Sequence, residues 1–148
     1  MSKTSARDRA LAVLYTADLT GTVPDLTELP RRVTRYVEGV LSRREELDAE
    51  ISAAATGWRI ERMPVVDRNI IRLALYELRK GEMPVGVVVS EAVNLAKRFS
   101  TERSGAFVNG VLAKLIEEHE RYMPRPDEVG ANVAARCRAL RHRSIANL

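Results

Sequence analysis

Cysteine occurs once, at Cys137, so no disulfide can close within the chain. Histidine occurs twice, at His119 and His142, and these scattered positions with one cysteine do not make a tetrahedral zinc site. Catalytic signatures are also missing. There is no GxxxxGK[ST] phosphate loop, no GxGxxG, no HExxH and no serine elbow. No apolar run reaches the roughly eighteen residues of a membrane span, and the N-terminus lacks the apolar core of a signal peptide. Only Val85–Val89 alternates enough to suggest a strand, and a helix start fits it equally well. Aromatics are 5% of residues. These absences exclude a disulfide scaffold, a zinc module and a spanning protein. They point to an all-α chain in a reducing cytoplasm, with no bound cofactor and no enzyme activity. Carboxylate pairs such as Glu117/Glu118 read as ordinary charged helix surface.

What is present is a globular composition: 148 residues, 45% hydrophobic and 30% charged. The length fits one domain, or two small helical halves sharing a core. The net charge of +4 is unevenly placed. Beyond Pro124 five arginines (Arg125, Arg136, Arg138, Arg141, Arg143) face only Asp127 and Glu128, which leaves the preceding body close to neutral. Residues 1–123 therefore form the body and 124–148 a basic extension, either a further helix over Val133–Arg143 or a disordered tail. A nucleic-acid site in the body has to be local.

The body divides into helices. Ser5-Ala6-Arg7-Asp8 fits a capping box, opening a helix with Ala10, Leu11, Leu14, Ala17 and Asp18 on one face and Gly21 as its stop. Pro30 suits the first turn of a second helix, carrying Val33, Tyr36, Val37, Val40 and Leu41. Ser42-Arg43-Arg44-Glu45 reads as another capping box, for a third helix with Leu47, Ile51 and Ala54. Gly57-Trp58 breaks it, and a short turn or helix leads to Met63-Pro64. Between Ile70 and Leu78 the apolar residues wrap most of a helix's circumference, which puts Val65–Lys80 at the centre of its bundle.

Glu91–Leu115 holds two more helices around a polar break at Ser100–Ser104. The first carries Val89, Ala92, Val93, Ala96 and Phe99, and the second Phe107, Val108, Val111, Leu112 and Leu115. Lys97, Arg98 and Arg103 surround the break with Phe99 and Phe107. Basic side chains interleaved with aromatics suit single-stranded nucleic acid, whereas core phenylalanines beside a solvated turn give the same spacing.

Three blocks then stand in order: Ala10-Leu11-x-x-Leu14-Tyr15; Asp67-Arg68-Asn69-Ile70-Ile71-Arg72-Leu73-Ala74-Leu75-Tyr76-Glu77-Leu78; and Glu91-Ala92-Val93-x-Leu95-Ala96-Lys97 followed by Phe107-Val108-Asn109-Gly110-Val111-Leu112. In this order and spacing the chain resembles the NusB family of bacterial transcription antitermination factors, over about residues 5–120. The resemblance implies two packed three-helix bundles with six to seven helices. It implies binding of box A RNA together with NusE, a small-subunit ribosomal protein, alongside other Nus factors and RNA polymerase. A homodimer is known within the family as well as a monomer.

The resemblance also implies roles for single residues. Lys3, Arg7 and Arg9 are what remains of an arginine-rich arm that meets RNA. Tyr15 lies near the RNA path, or else packs half-buried against helix six. Phe99, Arg103 and Phe107 form a candidate RNA edge, and Arg103 stands where many members carry an acid. Asp67 and Glu91 face the NusE partner, Asp67 also suiting a helix N-terminus. Asn109 and Gly110 read as structural: Gly110 letting a neighbouring helix approach, Asn109 bonding a loop's backbone. Three rivals stand beside this reading. One is the NusB-like domain of a ribosomal RNA cytosine methyltransferase, whose cofactor domain 148 residues cannot hold. The others are a helix-turn-helix DNA binder, for which no basic recognition helix is evident, and a protein-interaction scaffold.

Overall fold

The computed structural model describes residues 5–55 and 57–121, except the side chains of 120 and 121. Lys3, Cys137, His142 and the whole of 124–148 lie outside the described residues. Six helices run in order: α1 (Ala6–Thr20), α2 (Arg31–Ser42), α3 (Arg44–Ala54), α4 (Val65–Lys80), α5 (Val85–Phe99) and α6 (Glu102–Arg121), with a 3-10 turn at Ile60–Arg62 before α4. No strand forms among the described residues.

Local chemistry sets most boundaries. The Ser5 hydroxyl accepts from the Asp8 N–H at 3.1 Å, and Gly21 closes α1 in the left-handed region at φ 69°. Gly81 ends α4 in the same way. Pro30 sits one position earlier than expected, as the extended residue that caps α2 rather than inside its first turn. The second capping box does not form. Ser42 is the last residue of α2, its hydroxyl donating back to the Gly39 carbonyl, and the cap position of α3 falls on Arg43 instead. Arg43 alone separates the two helices and ends one as it begins the other.

α4 is the axis, packed against all five other helices. Ile70, Ile71, Leu73, Ala74 and Leu75 are buried on it, as their wrap-around pattern predicts. One continuous apolar cluster joins Ala10, Leu11 and Leu14 of α1 to Val108, Val111 and Leu112 of α6, so the helical halves share one core. α3 packs on α4 and α6 as well as on α2. Where α2 crosses α4, a Cβ at Gly39 would overlap the Tyr76 ring, which lies edge-on to Tyr36 at 6.4 Å.

A charge cluster pins α1 and α3 to α4. Asp18, 5% exposed, accepts from Arg68 Nε at 2.6 Å, Asn69 Nδ2 at 2.9 Å and Arg72 Nη1 at 3.0 Å. Arg72, 3% exposed, also forks onto Asp48 at 2.6 and 2.9 Å. Burial works against the Asp18 charge, but Arg68, Asn69 and Arg72 outweigh it and lower its pKa to about 2. Asp18 belongs on the inward face because its neighbours there are cations.

Candidate nucleic-acid interface

The polar break between α5 and α6 is shorter than the sequence suggests. Only Ser100 and Thr101 lie outside helix, and Ser104 sits in the first turn of α6. Thr101 caps that turn, its hydroxyl accepting from the Ser104 N–H at 3.0 Å. The Ser100 and Ser104 hydroxyls are 2.8 Å apart, and Ser104 Oγ donates to Asp67 Oδ2 at 2.9 Å. Asp67 Oδ1 is buried with no hydrogen-bond partner. Hydroxyls that were expected to cap a turn thus also anchor the junction to the start of α4.

The aromatic residues of this region part company. The buried face of α5 is Val88, Ala92, Leu95 and Ala96, slightly rotated from the expected stripe, which leaves Phe99 on the rim and 51% exposed. The Arg98 guanidinium lies over its ring at 5.1 Å while bonding Asp8 at 2.7 and 3.3 Å. Burial opposes the Asp8 charge, yet Arg98 and Ser5 hold its carboxyl below the usual carboxylate range. Phe107 is half-buried, packs on the core and meets Trp58 edge-to-face at 5.8 Å. Arg103 is exposed, with no ion pair or hydrogen bond among the described residues.

Of the remaining candidates, Arg9 is exposed, while Arg7 is committed to Glu77 through Nε at 2.8 and 3.0 Å. Burial opposes the Arg7 charge, but Glu77 outweighs it and raises the guanidinium's pKa. Burial and the same Glu77 push Tyr36 up to about 12. Tyr15 is half-buried on a helix that packs chiefly on α2 and α4, not on α6. Glu91 is half-buried and lines a shallow cleft with Ser5, Asp8 and Arg98, between α1 and α5.

Two expectations need correction. Asp67 is 2% exposed, so its carboxylate reaches no surface from which to face a partner. It sits in the first turn of α4, where the dipole favours an acid, with Ser104 as its bond. Gly110 does not admit a neighbouring helix, since a Cβ there would meet nothing within 4 Å, and Asn109 is exposed with no bond to a loop. The close approach occurs at Gly105, where a Cβ would come within 2.9 Å of the Lys97 stem. The sequence reading also passed over Trp58 as a helix breaker, although it is 55% exposed beside Phe107. Its position two residues before a short 3-10 turn gave no periodic signal.

Known proteins match this arrangement along most of the chain. A sequence profile of the NusB family matches residues 4–117. The transcription antitermination protein NusB of Acidothermus cellulolyticus is 48% identical over 123 positions, covering 76% of this chain and 85% of that protein. NusB of Saccharopolyspora erythraea is 41% identical over 147 positions, covering 90% and 98%. Among solved structures, T. maritima NusB superposes with a TM-score of 0.68 at 32% identity, over 79% of this chain and 94% of that one. A crystal structure of antitermination factors NusB and NusE in complex with double-stranded RNA gives 0.68 at 29% identity, over 76% and 94%.

Proposed function

The chain belongs to the NusB family, and from that membership we propose that it acts in transcription antitermination, binding box A RNA of ribosomal RNA operons jointly with a NusE-type ribosomal protein. The observation that carries this reading is its likeness to a NusB seen with NusE and RNA, extending over nearly all of that NusB. In this reading the protein acts by binding rather than by catalysis, in the cytoplasm where RNA is transcribed, with other Nus factors and RNA polymerase reached through the complex.

The RNA edge is proposed on α6 around Phe107 and Arg103, with exposed Phe99 at the end of α5 and exposed Arg9 on α1 as further proposed contacts. A half-buried ring fixed by the core is a rigid surface for an unstacked base, and an unpaired guanidinium nearby is free to meet its phosphate. Arg7 contributes less directly, because Glu77 already holds its charge. Tyr15 stays as a proposed RNA contact on α1 and Lys3 as part of the arm, while Glu91 on α5 stays as a proposed contact to the NusE-type partner. A gel-shift with box A RNA, with and without a NusE-type protein, tests the function. Tighter binding by the pair than by either protein alone is the expected result. Absence of any RNA enhancement in the pair would favour the pure protein-interaction scaffold.

A further inference from the structure

On α6, Arg103, Phe107, Gly110 and Lys114 follow at helical spacing and form one edge of the helix. Arg103, Gly110 and Lys114 are exposed, and neither cation has an ion pair or hydrogen bond among the described residues. Trp58 reaches this edge from the α3–α4 connection, its indole meeting the Phe107 ring at a steep angle, 5.8 Å between centroids, while over half of the residue stays exposed. Acids bracket the stripe, with Glu102 before it and Glu117 and Glu118 beyond it, which confines the positive ground to the length between Arg103 and Lys114.

Gly110 is the telling residue. An exposed glycine inside a helix costs about 1 kcal/mol relative to alanine, and here no neighbour needs the missing side chain. The space over it stays open beside two rings and between two cations about 16 Å apart along the helix axis. We infer that Trp58, Phe107, Gly110 and Lys114 extend the Arg103 edge into a binding track for single-stranded RNA. A base stacks on the exposed Trp58 face, the sugar–phosphate chain runs close over Gly110, and Arg103 and Lys114 take phosphates on either side. An RNA strand fits this surface better than a protein segment, because the stripe pairs separated cations, unpartnered among the described residues, with flat rings. The inference rests on the RNA-binding function proposed above.

Trp58 is the chain's single tryptophan, so its emission reports on this one place. The full-length protein, with a tryptophan-free NusE-type partner, is titrated against end-labelled single-stranded box A RNA. RNA anisotropy and Trp58 fluorescence are followed together. The expected result is quenching that saturates with the anisotropy. Trp58→Ala is expected to weaken binding about tenfold and Trp58→Phe to restore most of it, since stacking needs a ring. Lys114→Gln should lower the salt slope by about 0.7, the loss of one phosphate contact on a single strand. Rising anisotropy with unchanged Trp58 emission and unaltered affinity in the variants overturns the track while leaving RNA binding intact. No anisotropy change at all overturns the function and the track together. Quenching by the NusE-type protein before RNA is added assigns the stripe to protein contact and also overturns it.

Discussion

Ser104, in the first turn of α6, donates its hydroxyl to the buried carboxylate of Asp67, in the first turn of α4, at 2.9 Å. The bond spans 37 positions of sequence and holds the α5–α6 junction against the central helix. Because the other Asp67 oxygen has no partner, this hydroxyl is its principal compensation for burial. Ser104→Ala would leave the carboxylate stranded and should destabilise the fold by about 1–3 kcal/mol, the cost of an orphaned buried polar group. Urea unfolding measures this directly. A variant as stable as the parent would show that Asp67 finds its compensation elsewhere.

Arg103 offers a test of the RNA edge that leaves the core untouched, since its side chain is exposed and has no partner among the described residues. Arg103→Asp should reduce affinity for box A RNA and flatten its dependence on salt by about 0.7 in slope for the lost contact. Identical affinities across a salt titration would remove Arg103 from the interface.

The Asp18 cluster predicts a pH dependence. Its pKa is about 2 in the folded chain against the model-compound value of 3.8, so the folded state favours the charged form. The resulting stability, about 2 kcal/mol, is fully present above pH 4 and is lost as pH falls towards 2. Asp18→Asn should abolish that acid-sensitive component. It should also weaken the protein at neutral pH by about 2 kcal/mol, the share of stability the Asp18 charge supplies there, since Arg72 keeps its fork onto Asp48. Unfolding free energies of parent and variant between pH 2 and 7 check both statements, and parallel curves would contradict the first.

Two glycine substitutions should act in opposite directions. Gly39→Ala puts a methyl group into the Tyr76 ring, itself wedged against Tyr36, and should cost about 1–3 kcal/mol. Gly110→Ala meets open space inside a helix and should stabilise by about 1 kcal/mol. Thermal melts distinguish the pair. Destabilisation by Gly110→Ala would show that the glycine has a packing role after all.

The helices were readable wherever one local rule decided them. Apolar wrap placed α4, and Ser5 and Gly21 bounded α1, because each works through atoms only a few residues apart. Ser42 looked equally good as a cap, but α2 runs through it and the cap position falls on Arg43, a boundary that the capping-box spacing does not reveal. Asp67 was legible as a helix-start acid and misread as a surface one, since burial depends on α6 closing over it. The family motif drew attention to Gly110, while the glycine that admits a neighbour is Gly105. Trp58 had no period to give it away and became visible only through its contact with Phe107.

The position of α4 has a consequence for synthesis. Every other helix needs it as a packing surface, and it begins only at Val65. A nascent chain that has delivered α1, α2 and α3 can pack α1 on α2, but the faces that meet α4 stay uncovered. Those three helices must wait, open to chaperones and proteases, until α4 clears the ribosome. Slowing translation between α3 and the end of α4 would lengthen that exposure, and slowing it after α6 would not.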